Sequence, residues 1–151
     1  MTGKLETAVH AIAVRDYALD DQIGFVLRKA HQRATDIFNS VMSQFEVTPT
    51  QFAALARLHE VGETSQNRLG RMTAMDPATV LGVVSRLKKR GLIEQRLDPN
   101  DGRMNLLSLS ADGHALIGAM EQAGLEVSRR TLEHLGERDA RRLLELLARI
   151  A

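Results

Sequence analysis

A mainly α fold carrying a small β-hairpin is the class this sequence predicts, and three observations predict it. Apolar residues recur at three- and four-residue spacing through most of the chain. Aromatics make up only 3% of residues and Trp is absent, so a core must be built from Leu, Val, Ile, Ala and Met. Strand-rich folds draw instead on β-branched and aromatic side chains. Finally, the helical pattern breaks between Gly91 and Ser110, where two short apolar runs flank a dense cluster of turn formers.

Residues Met1 to Tyr17 are weakly patterned; Leu5, Val9 and Ile12 predict at most a short arm-like helix. Asp20 and Asp21 then supply acids suited to a helix N-terminus. From Ile23 through Val26, Leu27, Ala30, Ala34, Ile37, Phe38 and Val41 to Phe45, the spacing predicts one amphipathic helix of about six or seven turns. That is long for a monomeric domain of this size and points to an element shared between subunits. Thr48-Pro49-Thr50-Gln51 provides an N-cap, a first-turn proline and the Gln of a capping box. The helix it opens buries Phe52, Leu55 and Leu58 or His59, and ends near Gly62.

A short helix follows from Ser65 to Met72, capped by Thr64 or Ser65, with Leu69 and Met72 inward. After a turn at Thr73 to Met75, Asp76-Pro77 caps another helix, striped by Val80, Val83, Val84 and Leu87 and stopped by Gly91. Two short helices across a tight turn, the second bearing Arg86, Lys88, Lys89 and Arg90, have the form of a helix-turn-helix. Leu92 to Leu97 and Met104 to Leu109 suit strands around the turn Asp98-Pro99-Asn100-Asp101-Gly102. A hairpin at that place is the wing of a winged helix-turn-helix.

Ser110 and Asp112 open a further helix in which Ala115, Ile117, Met120 and Leu125 are the expected contacts. Gly113, Gly118 and Gly124 each weaken it by about 1 kcal/mol relative to Ala, so its stability is expected from packing. Past Gly136, the residues Leu143, Leu144, Leu147 and Ile150 stripe a last amphipathic helix.

Composition narrows the function. With 44% apolar and 26% charged residues the 151-residue chain is an ordinary globular protein. Net charge is only +1, yet Arg86 to Arg103 holds six Lys or Arg against three acids. The absence of cysteine excludes disulfides and thiol redox switching. No apolar run approaches the roughly 20 residues of a membrane span, and no secretory signal is expected at the N-terminus, which leaves the cytoplasm as the default. An enzyme is not expected: there is no P-loop, dinucleotide fingerprint or nucleophile elbow. Neither a metal nor a cofactor is expected, since five scattered histidines do not make a metal site and the acid spacing of the wing is wrong for a calcium loop.

The stretch MDPATVLGVVSRLKKRGLIEQRLDPNDGRMNLLSLS resembles the recognition helix and wing of the MarR family of transcription regulators. The resemblance runs from about Asp20 to the C-terminus, and the wing pattern D-x-x-D-x-R falls on Asp98, Asp101 and Arg103. Asn100 stands where many relatives carry Arg, which removes one basic contact. LDDQIGFVLRKAHQRATDIF is similar to relatives that govern breakdown of aromatic acids. The resemblance implies a helical homodimer. Residues 1–47 would form an arm and long dimerisation helix, 48–110 the winged helix-turn-helix, and 111–151 the C-terminal dimerisation helices.

Site residues follow. Off the apolar stripe of the recognition helix lie Ala78, Thr79, Leu81, Gly82, Ser85, Arg86 and Lys89. Thr79 and Ser85 reach base edges or phosphates, Gly82 allows close backbone approach, and Leu81 suits a thymine methyl. Arg86 addresses guanine or a phosphate bidentately. The competing reading, a solvated basic face, is outweighed by the flanking turn and hairpin. Arg103 is the expected minor-groove or phosphate contact, or else a hairpin-stabilising partner of Asp101. Gln66, Asn67 and Arg71 are expected phosphate anchors.

By resemblance, a small aromatic or anionic effector is expected between the DNA module and the dimer helices. Arg28, His31 or Arg33 would contact it, with Phe38, Phe52, Leu55, His59 and Met120 around it; for either histidine a structural role competes. The expected function is a ligand-responsive repressor of a catabolic operon for aromatic acids or their CoA thioesters, released from a pseudo-palindromic double-stranded operator by its effector. The alternatives are a regulator of antibiotic, phenol-resistance or virulence genes, and a DNA-binding protein without an effector.

Overall fold

The computed structural model describes residues 16–151. The arm-like helix expected around Leu5, Val9 and Ile12 lies outside the described residues. Two compact units meet between Ala34 and Thr35, within a helix, α1, that runs Ile23–Val41. In the first unit Asp20 and Asp21 belong to a 3-10 turn, Leu19–Asp21, ahead of α1. Gln22 Nε2 donates to the Ala18 carbonyl at 3.0 Å. Lys29 Nζ lies 3.7 Å from the Asp20 carboxylate and 5.5 Å from the centre of the Phe25 ring. Tyr17, Leu19, Ile23, Val26 and Leu27 are exposed.

The second unit, Thr35–Ala151, opens on the end of α1. The spacing predicted helix as far as Phe45, but α1 stops at Val41 and Ser43–Phe45 is a separate 3-10 turn closed by Glu46 at φ 52°. The cause is tertiary. Arg90 donates from its two terminal nitrogens to the carbonyls of Glu46, at 2.7 Å, and Phe45, at 2.9 Å, so this turn is held from the far side of the chain.

Helix α2, Pro49–Val61, has the expected capping box: Gln51 N–H donates to Thr48 Oγ1 and Thr48 N–H to Gln51 Oε1. Ser65 caps α3, Gln66–Met72. Asp76 caps α4, Pro77–Lys89, accepting from Thr79 N–H at 2.7 Å. Gly91, at φ +69°, takes the left-handed backbone that ends α4 and turns the chain into the hairpin. Its strands are β2, Ile93–Leu97, and β3, Asn105–Leu109. A third strand was not anticipated: β1, Glu63–Ser65, pairs with β3, giving the antiparallel order β1-β3-β2. Three residues are too few to carry a two-residue period, and Thr64 and Ser65 read equally well as helix caps.

Ser110 caps α5, Ala111–Thr131. Ile117 and Met120 are buried as expected, but Ala115 and Leu125 are exposed. The inner face follows Gly113, Ile117, Met120 and Gly124 at three- and four-residue steps, and the other two fall off it. The glycines on that face are contact surface. A Cβ at Gly113 would stand 2.2 Å from the Leu92 carbonyl oxygen, and one at Gly124 2.9 Å from Phe52 Cζ. Helix α6, Glu137–Ala148, follows Gly136. The core joins Phe38 and Met42 of the α1 region to Leu55, Leu58, Leu69, Val80, Leu87, Leu107, Ile117 and Met120.

Candidate nucleic-acid interface

The buried side of α4 is filled by Val80, Val83, Val84 and Leu87. Helical periodicity therefore turns Ala78, Leu81, Ser85, Arg86 and Lys89 outward together, and all five are exposed. Leu81 is 58% exposed, a large aliphatic side chain that intrachain packing does not use. Thr79 and Gly82 are half-buried on the flank of this face. The Thr79 hydroxyl donates to Asp76 Oδ2 at 2.9 Å. The Thr79 backbone and side-chain bonds hold the Asp76 carboxyl below its ordinary value, so the cap stays ionised. Gly82 leaves room for Arg86: a Cβ there would stand 3.2 Å from a terminal guanidinium nitrogen of Arg86.

Residues of the basic run have separate tasks. Arg86 and Lys89 are exposed on the outward face. Arg90 is turned inward onto the Phe45 and Glu46 carbonyls. Lys88 Nζ donates to Gln95 Oε1 on β2 at 2.8 Å. Arg96 forms a bidentate pair with Glu63, both bonds at 2.6 Å, and the Glu63 hydrogen bonds raise its basicity further. That pair crosses β3 and ties the wing to β1. Run composition alone did not distinguish these roles; the partners are 7 to 45 residues away.

At the wing, Asp98 and Asp101 shape the turn. Asn100 N–H donates to Asp98 Oδ1 at 2.8 Å and Arg103 N–H to Asp101 Oδ1 at 3.1 Å. The predicted partnership of Asp101 with Arg103 is thus made to the Arg103 backbone. Its guanidinium is exposed and in no ion pair among the described residues. Asn67 and Arg71 of α3 are exposed and Gln66 is half-buried.

The residues expected around an effector fall in both units and are taken separately. Arg28, His31 and Arg33 are exposed on the first part of α1. In the second unit Phe38 and Phe52 stack at a tilt, ring centres 6.1 Å apart, and Leu55 and Met120 are buried. His59 is engaged: its Nδ1 lies 2.7 Å from Glu121 Oε1 on α5, and its ring meets His114 edge-on at 6.3 Å. Glu121 also borders a hollow of about 260 Å³ beside Arg57, Glu60 and Thr73. Among the described residues no group of three potential metal ligands occurs, and no helix is long and apolar enough to cross a membrane.

A family model described as MarR family matches residues 45–104. The HTH-type transcriptional repressor NicR of Pseudomonas putida is 36% identical over 134 residues, which cover 89% of this chain and 85% of that repressor. A probable transcriptional regulator from Pseudomonas aeruginosa superposes with a TM-score of 0.84 at 49% identity, over 89% of this chain and 100% of that one. Bordetella bronchiseptica BpsR, whose DNA binding is regulated by 6-hydroxynicotinic acid, superposes with a TM-score of 0.86 at 33% identity, over 90% and 97%.

Proposed function

The chain belongs to the MarR family, a family of transcription regulators rather than enzymes, and from that membership we propose that it is a cytoplasmic, ligand-responsive repressor without enzymatic activity. It acts as a homodimer in which two copies of α4 enter successive major grooves of a pseudo-palindromic operator, about 34–36 Å apart. Residues 48–110 are the reading module, and the helices around it are the dimer frame. The observation that carries the reading is the outward face of α4, where Leu81, Ser85, Arg86 and Lys89 stand exposed beside a wing that presents Arg103. Base edges are addressed by the helix, and the narrow groove by the wing arginine. Gln66, Asn67 and Arg71 anchor phosphates.

The effector is an aromatic acid. The DNA binding of BpsR, at 33% identity, is regulated by 6-hydroxynicotinic acid, and Phe52, half-buried and tilted against the buried Phe38, offers an aromatic face. Such a ligand releases DNA only through unequal affinity for the operator-bound and free spacings of the dimer.

Fluorescence anisotropy against duplexes selected from a random library tests the reading, with a salt series and a titration of 6-hydroxynicotinic and benzoic acids. A preferred site, a log affinity falling linearly with log salt and release by one of the acids are expected. Failure to select any site overturns the regulator. Selection without release by either acid leaves a DNA-binding protein and removes this effector class. The same titration on Arg28→Ala, His31→Ala and Arg33→Ala reports which of these residues contributes to ligand affinity.

A further inference from the structure

Two hollows lie beside the hairpin, one between α4 and β2 and the other between the start of α3 and the wing. One, of about 310 Å³, is bordered by Gln66, Ser85, Lys88, Lys89 and Gln95. The other, of about 290 Å³, is bordered by Gln66, Asn67, Gln95, Arg103 and Asn105. Gln66 and Gln95 belong to both, so the two form one trough running from the recognition helix to the base of the wing. Its borders hold three cations, Lys88, Lys89 and Arg103, and no acid.

At the middle of this trough is the Lys88–Gln95 contact. Gln95 pairs in register with the buried Leu107 and shares a face with the buried Ile93 two residues before it, so it stands on the helix-facing side of β2. Its carbonyl oxygen takes one N–H of Lys88 at 2.8 Å. The Lys88 amine keeps further N–H donors, and the Gln95 amide keeps its own N–H groups. A long, flexible ammonium is thus held in place above the trough before any ligand arrives.

We infer that this trough seats the sugar–phosphate backbone of one DNA strand, with Lys88 and Gln95 as phosphate-contacting residues additional to those of the outward helix face. The inference rests on the proposed DNA-binding function. In a duplex, one backbone strand is the ridge that separates the major groove from the minor groove. A protein that puts a helix in one and a wing in the other must straddle that ridge. A concave, cationic, acid-free surface between the two elements is the shape and charge that this requires. Lys88 supplies the counter-charge and Gln95 holds it in position.

The test uses the full-length protein and a duplex selected by the wild type from a random library. Lys88→Gln is expected to lower affinity several-fold, alike for selected and unselected duplex, and to reduce the salt slope by about one. Gln95→Ala is expected to weaken binding with the slope unchanged, because the charge remains while its anchor is lost. A scan of neutral methylphosphonate linkages supplies the positional readout: one linkage per half-site should weaken the wild type but not Lys88→Gln. Both side chains are exposed, so the variants should melt as the wild type does. An unchanged slope in Lys88→Gln, or an unchanged methylphosphonate profile, overturns the trough while leaving DNA binding intact. Competition by millimolar inorganic phosphate at constant ionic strength would assign the trough to a free anion and also overturn it. If the wild type selects no duplex, both readings fall.

Discussion

Helices α4 and α6 have similar amphipathic patterns and opposite fates. In α4 the apolar stripe is buried, with Leu87 0% exposed. In the C-terminal helix Leu143, Leu144 and Leu146 all lie open, Leu144 at 57% and Ile150 just beyond at 66%. Periodicity states that a face must be covered; it does not state by what. For α4 the cover is intrachain, from α2, α3 and the hairpin. For α6 no intrachain cover is found among the described residues, and the proposed cover is a second copy of the chain. A contiguous exposed apolar face of this kind is a surface for association.

The largest effects separate the two covers. Leu87→Ala should lower unfolding free energy by about 2–5 kcal/mol, the range for emptying a buried leucine site, and urea melts should detect it at any protein concentration. Leu144→Asp should instead leave a folded chain that sediments as a monomer and binds an operator duplex orders of magnitude more weakly, since each half-site must then be held alone. If Leu144→Asp stays dimeric, the proposed cover of α6 is wrong.

Helix α5 links the two regimes, and its glycines sharpen the contrast. Replacing an exposed helical glycine with alanine gains about 1 kcal/mol. Gly118, with open space where a methyl would go, should follow that rule, so Gly118→Ala raises the melting temperature. Gly113→Ala should do the reverse and lose about 1–3 kcal/mol, the usual range for overpacking. Its methyl would meet the Leu92 carbonyl at 2.2 Å, and that carbonyl already accepts the Ser110 N–H at 3.0 Å. Equal melting shifts for the two variants would contradict the close approach of α5 to the wing module.

These cases mark what was legible. Features written within four residues were read directly: the Thr48–Gln51 box, the Asp76 cap, the Gly91 stop and the stripe of α4. The outward face of α4 then followed as the complement of its stripe. Features set by distant partners were not. Nothing near Gly113 announces that Leu92 lies against it, nothing near Phe45 announces Arg90, and Lys88 looks like its neighbours until Gln95 is placed beside it. The three glycines of α5 were read as uniformly weakening, whereas two of them are where other groups pack.

The far end of α5 is held by charge. Arg129 and then Arg130 hydrogen-bond Glu126 and pull its carboxyl from an ordinary 4.5 down to about 2. A carboxyl that titrates lower when folded contributes stability that is full above about 4.5 and is lost as pH falls towards 2. Carboxyl NMR should place the Glu126 midpoint near 2, and Arg129→Gln should move it up. Ile117 and Met120, at the packed end, should show no protection loss by hydrogen exchange over the same pH window; coincident loss at both ends would make α5 one cooperative unit.

The smallest effect concerns how α6 begins. Gly136 sits at φ −65°, ψ 159°, a backbone any residue adopts, makes no side-chain cap bond, and has open space where a Cβ would go. Serine there supplies an oxygen for the first free N–H groups of α6, a gain over glycine of a few tenths of a kcal/mol. By contrast, Thr48→Ala, which removes a cap from a helix inside the core, should lose about 1 kcal/mol. Where that small gain is felt depends on the cover of α6. In the wild-type dimer, Gly136→Ser should raise the melting temperature slightly, because α6 unfolds with the rest. In a Leu144→Asp background it should increase helicity by circular dichroism and leave the melt of the reading module unmoved. An equal melting shift in both backgrounds would mean that α6 is coupled to the core within one chain, and the difference between α4 and α6 would then be one of exposure alone.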